Sequence, residues 1–318
     1  MKLQGLHHIT MITGDAQRNV AFYAGVLGLR LVKQTVNFDQ PEAYHLYFGD
    51  DTGSPGSILT WFEFAGAAHG RAGVGMIHTL QLAVASPAAL EFWQARLGDH
   101  GYAARRDERS LRFADDDGLA LELVLATGED PPLRAAHPEI PEQHAIVGPA
   151  GARAYGQFHN VEERLLSGPL GFEYLGDGAY RLDGAQRHFH WGYDLPPERP
   201  GRQGAGTVHH IAWASRDEDH LDWQRLVRGV GGHVTDVRDR DYFKAIYFRE
   251  PRGILFEIAT LLPGFAVDED PARLGEELRL PKRHEHLRPQ LERQLTPIIN
   301  PRAKKRDAVS GGSQSAVR

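Results

Sequence analysis

Two rhythms of apolar and polar positions follow each other along this chain in a fixed order. A strand-like stretch comes first, then a stretch with apolar residues at helical spacing, then three more strand-like stretches. Residues 6–13 read as a strand. Residues 15–27 read as a helix, with Val20, Phe22, Tyr23, Val26 and Leu27 on its apolar side, Asp15 as N-cap and Gly28 as stop. Strands over 30–37, 44–48 and 58–64 follow, split by Gly- and Asp-rich turns. The unit restarts at 77–85, with a helix over 87–97 opened by Ser86 and Pro87 and strands near 102–107, 110–114 and 119–125. A third unit is weaker. Its first strand falls at 144–147 or 152–157, its helix near 161–166, and further strand-like segments at 171–174, 180–182 and 188–191. A fourth is clear: strand 207–215, helix 217–229, strands 233–236, 243–248 and 254–260.

One βαβββ unit leaves a half-open sheet whose edge and apolar face need a partner. Four units predict an α+β fold in which four βαβββ modules pair into two barrel-like cups, helices on the outer faces. Along the sequence, modules one and two occupy 1–135, modules three and four 140–265, and an extension 266–318. The extension holds a helix near 288–295 and, from 301, a Lys-, Arg-, Ser- and Gly-rich end expected to be disordered. The Pro/Gly-rich loop 196–206 is placed to border a site.

Composition narrows the chemistry. A formal charge of −6 and a pI near 6.3 offer no surface for nucleic acid or anionic membrane. The absence of Cys excludes disulfides, thiolate zinc sites and Cys nucleophiles. No apolar stretch approaches a membrane span and no signal-peptide pattern precedes the first strand, so a cytoplasmic location is expected. Seventeen His are too many for number alone to select a ligand.

Position selects better. The first strands of units one and four each carry a double His, Leu6-His7-His8-Ile9-Thr10 and Val208-His209-His210-Ile211-Ala212. Strand alternation places His8 with Thr10 and Ile12, and His210 with Ala212 and Ala214, on a face of small or polar residues suited to line a cup. His7 and His209 fall with the bulky residues on the opposite face. Glu257 interrupts the apolar run 253–260 and faces inward with Leu255 and Ala259. A buried carboxylate needs a cation, and either a metal or Arg249 or Arg252 would supply one. Two imidazoles and one carboxylate form the facial triad of non-heme Fe(II). Unit two carries His78 and Glu122 at analogous places without a further ligand, as a decayed site would. Phe243, Trp61 and Trp191 are candidate pocket residues.

The double-His strands and the stretch Asp239-Arg240-Asp241-Tyr242-Phe243-Lys244-Ala245-Ile246-Tyr247-Phe248-Arg249-Glu250-Pro251 through Glu257 resemble the vicinal oxygen chelate superfamily of glyoxalases and extradiol dioxygenases. Within it they are most similar to hydroquinone ring-cleaving dioxygenases, over about residues 1–265. The resemblance implies His8, His210 and Glu257 as Fe(II) ligands, with Mn(II) as an alternative metal. It implies catalytic roles beside them for His7, Thr10, His209, Arg240 and Tyr247. The implied partners are an aromatic substrate and O2, with homo-oligomerisation left open. Unit three lacks a double His, which favours units one and four sharing the metal cup while units two and three form the other. An extradiol catechol dioxygenase, a glyoxalase-like lyase or isomerase, and a metal-free binding module remain alternatives. The glyoxalase-like one needs a second carboxylate in the last strand of unit one, where Glu63 is the sole candidate.

Overall fold

A computed structural model describes residues 1–128 and 130–302. Module one comprises β1 (Gly5–Thr13), a helix that begins as α1 (Ala16–Val20) and widens into a π-helical turn (Ala21–Val26), β2 (Arg30–Val36), β3 (Tyr44–Gly49) and β4 (Ile58–Glu63). The Asp15 side chain caps α1 by accepting from Arg18 N. Module two contains β5 (Met76–Val84), α2 (Pro87–Asp99), β6 (Arg105–Arg106), β7 (Ser110–Ala114) and β8 (Ala120–Leu125). Module three has β9 (Ile146–Tyr155), the single turn α3 (Arg164–Ser167), β10 (Glu173–Gly176), β11 (Ala179–Asp183) and β12 (His188–Asp194). Module four has β13 (Val208–Ser215), α4 (His220–Gly229), β14 (Arg238–Asp239), β15 (Lys244–Arg249) and β16 (Leu255–Thr260).

The strands form two eight-stranded sheets, in the orders β14-β15-β16-β13-β1-β4-β3-β2 and β10-β11-β12-β9-β5-β8-β7-β6. Modules one and four therefore share the first sheet, and modules two and three the second. Each sheet draws one module from residues 1–135 and one from 140–265. Two modules join through an antiparallel pair of first strands, β1 with β13 and β5 with β9. The α+β architecture of four paired modules is present as expected.

Two sequence expectations change. The alternatives for the first strand of module three, 144–147 and 152–157, give way to β9, which runs between them through Gly148-Pro149-Ala150-Gly151. That segment reads as a turn but sits at a register irregularity against β5. A Cβ on Gly151 would lie 2.5 Å from Gln81 Oε1 and 2.7 Å from the His190 carbonyl, so the crowding there requires glycine. The expected strand 233–236 contributes only a bridge from Val234 to Phe248, and pairing starts instead at Arg238–Asp239.

The backs of both sheets share one apolar core with the helices. Trp213 of the first sheet packs against Trp191 of the second, ring centroids 6.2 Å apart, and both contact Phe256. Phe22, on the first module's helix, packs against Tyr102 and Phe113 of module two. Trp61 and Trp191 are consumed by this core, so they are not pocket residues. A smaller cluster joins Val32, Tyr47, Ala245 and Ala259 to Phe265, at the edge of the extension, and to Leu274 within it.

The extension folds back as a strap, with a helix α5 (Arg288–Gln294) near its end. Lys33, fully buried on β2, holds Asp268 at 2.6 Å and also pairs with Glu269. The expected disordered end falls, beyond residue 302, outside the described residues. Among the described residues no helix is long and apolar enough to cross a membrane.

Candidate metal centre

Strand alternation alone misplaces half of the double-His pattern, and the register shows why. Leu6 faces Trp213 and His8 faces Ala212, so His7 is an extra residue on β1; Thr10 faces His210 and Met11 faces Val208, so His209 is an extra residue on β13. Both are β-bulges. A bulge breaks the period of two and turns the extra side chain toward its neighbour's face. The expectation that His7 and His209 point away from the cup is thereby corrected. His7 Nδ1 lies 2.8 Å from His8 Nδ1, and His209 Nδ1 lies 2.7 Å from His210 Nδ1.

These contacts aim the other ring nitrogens at one another. His8 Nε2 lies 3.3 Å from His210 Nε2 and 3.4 Å from Glu257 Oε2, and His210 Nε2 lies 2.8 Å from Glu257 Oε2. Glu257 is brought there by β16, where it pairs in parallel register with Ala212, two residues beyond His210. All three side chains are buried, and they form the one cluster of three or more potential ligands among the described residues. Donor separations of this size suit adjacent positions around one ion with bonds of about 2.1 Å.

The carboxylate supports that fit. Glu257 is fully enclosed, and among the described residues the groups at salt-bridge distance from it are the two imidazoles. Arg249 bonds the Gly253 carbonyl and Arg252 bonds the carbonyls of Phe158 and Val161, so neither candidate arginine serves it. Burial pushes a carboxyl's pKa up, but the imidazoles of His8 and His210 outweigh it and hold Glu257 well below the usual range. An enclosed, ionised carboxylate beside two imidazoles is a donor set that suits a divalent cation.

The protonation pattern of His8 follows from its neighbours. The Thr260 carbonyl, 3.1 Å from His7 Nε2, can only accept, so that nitrogen carries the proton. Burial lowers the His7 pKa to about 3, so His7 stays neutral and its Nδ1 is an acceptor. His8 must then donate from Nδ1, which leaves its Nε2 lone pair free toward Glu257. His7 is thus a tautomer lock for His8. His209 borders the cavity instead, and among the described residues no hydrogen bond reaches its Nε2.

The cavity measures about 330 Å³ and is bordered by His8, Thr10, His209, His210, Arg240, Phe243 and Tyr247. Phe243 is the expected pocket residue that reaches it. The Thr10 hydroxyl is buried without a hydrogen-bond partner among the described residues. Arg240 Nε lies 3.3 Å from Tyr247 Oη, and its outer nitrogens lie 3.3 Å from Asp39. Burial first, then Glu257, pushes the Tyr247 phenol far above its ordinary pKa, so it keeps its proton. The loop carrying Arg240 is held by the strap, where Tyr242 donates to Asp268 and Lys282 N donates to Asp241.

Sequence reasoning did not single out His45, Tyr47 and Phe62, which also border the cavity. The alternation Tyr44-His45-Leu46-Tyr47-Phe48, with polar-capable rings at every second position, carried that signal. Glu63 accepts from Ala16 N at the start of α1 and stands outside the centre. The loop 196–206 borders a different depression, near His78 and Tyr155.

Residues 5–123 match the family model of the Glyoxalase/Bleomycin resistance protein/Dioxygenase superfamily. The chain is 45% identical over 306 residues to the Bacillus subtilis (strain 168) protein named "Putative ring-cleaving dioxygenase MhqO", covering 93% of this chain and 97% of that one. It is 31% identical over 318 residues to the chlorohydroquinone/hydroquinone 1,2-dioxygenase of Sphingobium indicum, covering 94% and 98%. A crystal structure of a dioxygenase from Bacillus subtilis, titled as putative, superposes with a TM-score of 0.86 at 44% identity, over 94% of this chain and 98% of that one.

Proposed function

We propose that this chain, which belongs to the glyoxalase/bleomycin resistance protein/dioxygenase superfamily and is one of its ring-cleaving dioxygenases, opens the ring of a hydroquinone-type substrate using Fe(II) held by His8, His210 and Glu257. The observation that carries the metal assignment is the enclosed, ionised Glu257 with no arginine or lysine at salt-bridge distance among the described residues, beside two imidazoles whose Nε2 atoms converge on it. The hydroquinone class is supported by the Sphingobium relative, whose likeness spans nearly the whole chain. When bound, Fe(II) supplies Lewis acidity and electron transfer between a phenolate and O2 at its open positions.

The protein's own groups do the rest. His7, fixed by the Thr260 carbonyl, keeps His8 in its metal-ready tautomer. His209 borders the cavity and presents its neutral imidazole as a hydrogen-bond partner for a substrate hydroxyl. Arg240 places a fixed positive charge at the cavity wall, where an anionic substrate oxygen is stabilised. Tyr247 retains its proton and donates it as a hydrogen bond. Thr10 offers a hydroxyl with no competing protein partner. Phe243 and Phe62 flank the ring and exclude water.

A glyoxalase-like centre is not favoured. Thr60 pairs with Thr10, two residues beyond His8, as Glu257 pairs with Ala212, two residues beyond His210. The position where module one would supply a second carboxylate thus holds a threonine. The test is oxygen uptake after anaerobic Fe(II) reconstitution, screened over hydroquinones and catechols. Uptake with a hydroquinone, one O2 per ring opened, is expected. No uptake with any diol, together with no retained iron or manganese, would overturn the reading.

A further inference from the structure

β3 places His45 and Tyr47 two residues apart on one face, and both border the cavity. Tyr47 Oη lies 2.9 Å from His45 Nδ1, and His45 Nε2 bonds Thr60 Oγ1. The row holds three exchangeable protons and two internal hydrogen bonds, so one proton is left at one end.

Burial decides which end. Thr60 is completely enclosed, does not border the cavity, and has no other side-chain hydrogen bond among the described residues. If it accepted from His45, its own proton would be stranded, an outcome that buried hydroxyls avoid. Thr60 therefore donates to Nε2. The neutral imidazole then carries its proton on Nδ1 and donates to the Tyr47 oxygen. That leaves the Tyr47 proton without an acceptor among the described residues, on a residue at the cavity wall. Tyr47 also mirrors Tyr247: the first pairs with Thr60 across β3 and β4, the second with Glu257 across β15 and β16.

We propose that Tyr47, aimed by Thr60 through His45, is the hydrogen-bond donor for the substrate hydroxyl that the metal does not hold. This rests on the hydroquinone reading. A 1,4-diol presents its second oxygen across the ring from the first, where one ion cannot take both. A catechol presents two adjacent oxygens that one ion can take together. Tyr47 thus makes the cavity select a ring with a distant second hydroxyl.

The test compares anaerobic binding of hydroquinone and 4-methylphenol to the Fe(II)-loaded protein by calorimetry, with iron content measured alongside. Wild type should prefer hydroquinone by roughly tenfold or more. Y47F should bring that ratio near one, with iron content and 4-methylphenol affinity unchanged. T60V should lower the ratio part of the way, because His45 is then free to take the Tyr47 proton, and T60S should restore it. A purely structural Tyr47 would weaken both ligands equally. An undiminished preference in Y47F or in T60V overturns the proposal and leaves the dioxygenase reading standing. A wild-type protein that binds neither phenol overturns both.

Discussion

The two sheets are built on one plan and differ in the side chains that the plan displays. In the first, the paired first strands carry bulges at His7 and His209, each beside an inward imidazole. In the second, β5 and β9 carry irregularities at the same two places and a third between Leu82 and Val84. Ile77 faces Ala154 and Thr79 faces Arg153, so His78 is the extra residue; Gln81 faces Gly151 and Leu82 faces Pro149, so Ala150 is the other. By register, His78 corresponds to His7, Thr79 to His8, Ala150 to His209 and Gly151 to His210. The bulges are therefore architecture common to both sheets, and imidazoles at the inward positions are what the first sheet adds.

The acids differ in the same way. Glu122 pairs with Gln81, two residues beyond Thr79, and so holds in module two the place that Thr60 holds in module one and Glu257 in module four. It accepts from Arg112 Nε and Gln81 Nε2, both at 2.8 Å. Nearby, Arg153 and His78 share Asp194. The second sheet neutralises its carboxylates with protein donors, whereas in the first Arg249 and Arg252 are engaged elsewhere and Glu257 meets only imidazoles at salt-bridge distance among the described residues. A carboxylate at the same place in the plan is a structural pair or a ligand according to whether an arginine reaches it.

Glu257→Ala should break this contrast most severely. It should abolish metal retention and lower oxygen uptake by at least about 10³-fold, with circular dichroism unchanged. The metal-free variant should melt no lower than metal-free wild type, because a buried uncompensated charge has been removed.

The joint between the sheets should respond to pH. Glu250 accepts from Tyr193 of the second sheet, and burial pushes its carboxyl up to about 7. A raised folded-state value means that the native state holds the proton more tightly than the unfolded chain does. The contribution is fully present below the unfolded value near 4.3 and is lost as pH rises through about 7. Denaturant titrations should show a loss of about 3 kcal/mol across that window, absent in Glu250→Leu.

Thr60→Glu should sharpen the comparison by giving module one the carboxylate that module four has. Metal should be retained while oxygen uptake falls by at least about tenfold, because an open position is filled. Arg153→Met in the second sheet should cost least. Its partner Asp194 is partly exposed, so denaturant titration should show a loss of about 0.5 kcal/mol with metal content unchanged.

Much of the plan was legible in the sequence, for identifiable reasons. Modules one, two and four show clean period changes, and Glu257 stands out as one charge in an apolar run. His8 and His210 could be assigned by alternation because they precede small or polar same-face residues. His7 and His209 could not, since a bulge is set by pairing with a distant strand and leaves no local mark. The same device hid β9, where Gly148-Pro149-Ala150-Gly151 imitates a turn. The strap was missed because its anchor is Lys33, a charged residue buried by partners some 235 positions away. Trp61 looked like a pocket residue and lies in the core, because β4 faces Ile58, Thr60 and Phe62 inward and Trp61 to the helix.

The central claim is that one of two equivalent sheets holds a single catalytic metal. Anaerobic Fe(II) titration of wild type, Glu257→Ala and Glu122→Ala tests it most directly. One equivalent bound by wild type, none by Glu257→Ala and one by Glu122→Ala is the expected result. Retention of a full equivalent by Glu257→Ala, or its loss in Glu122→Ala, would contradict it.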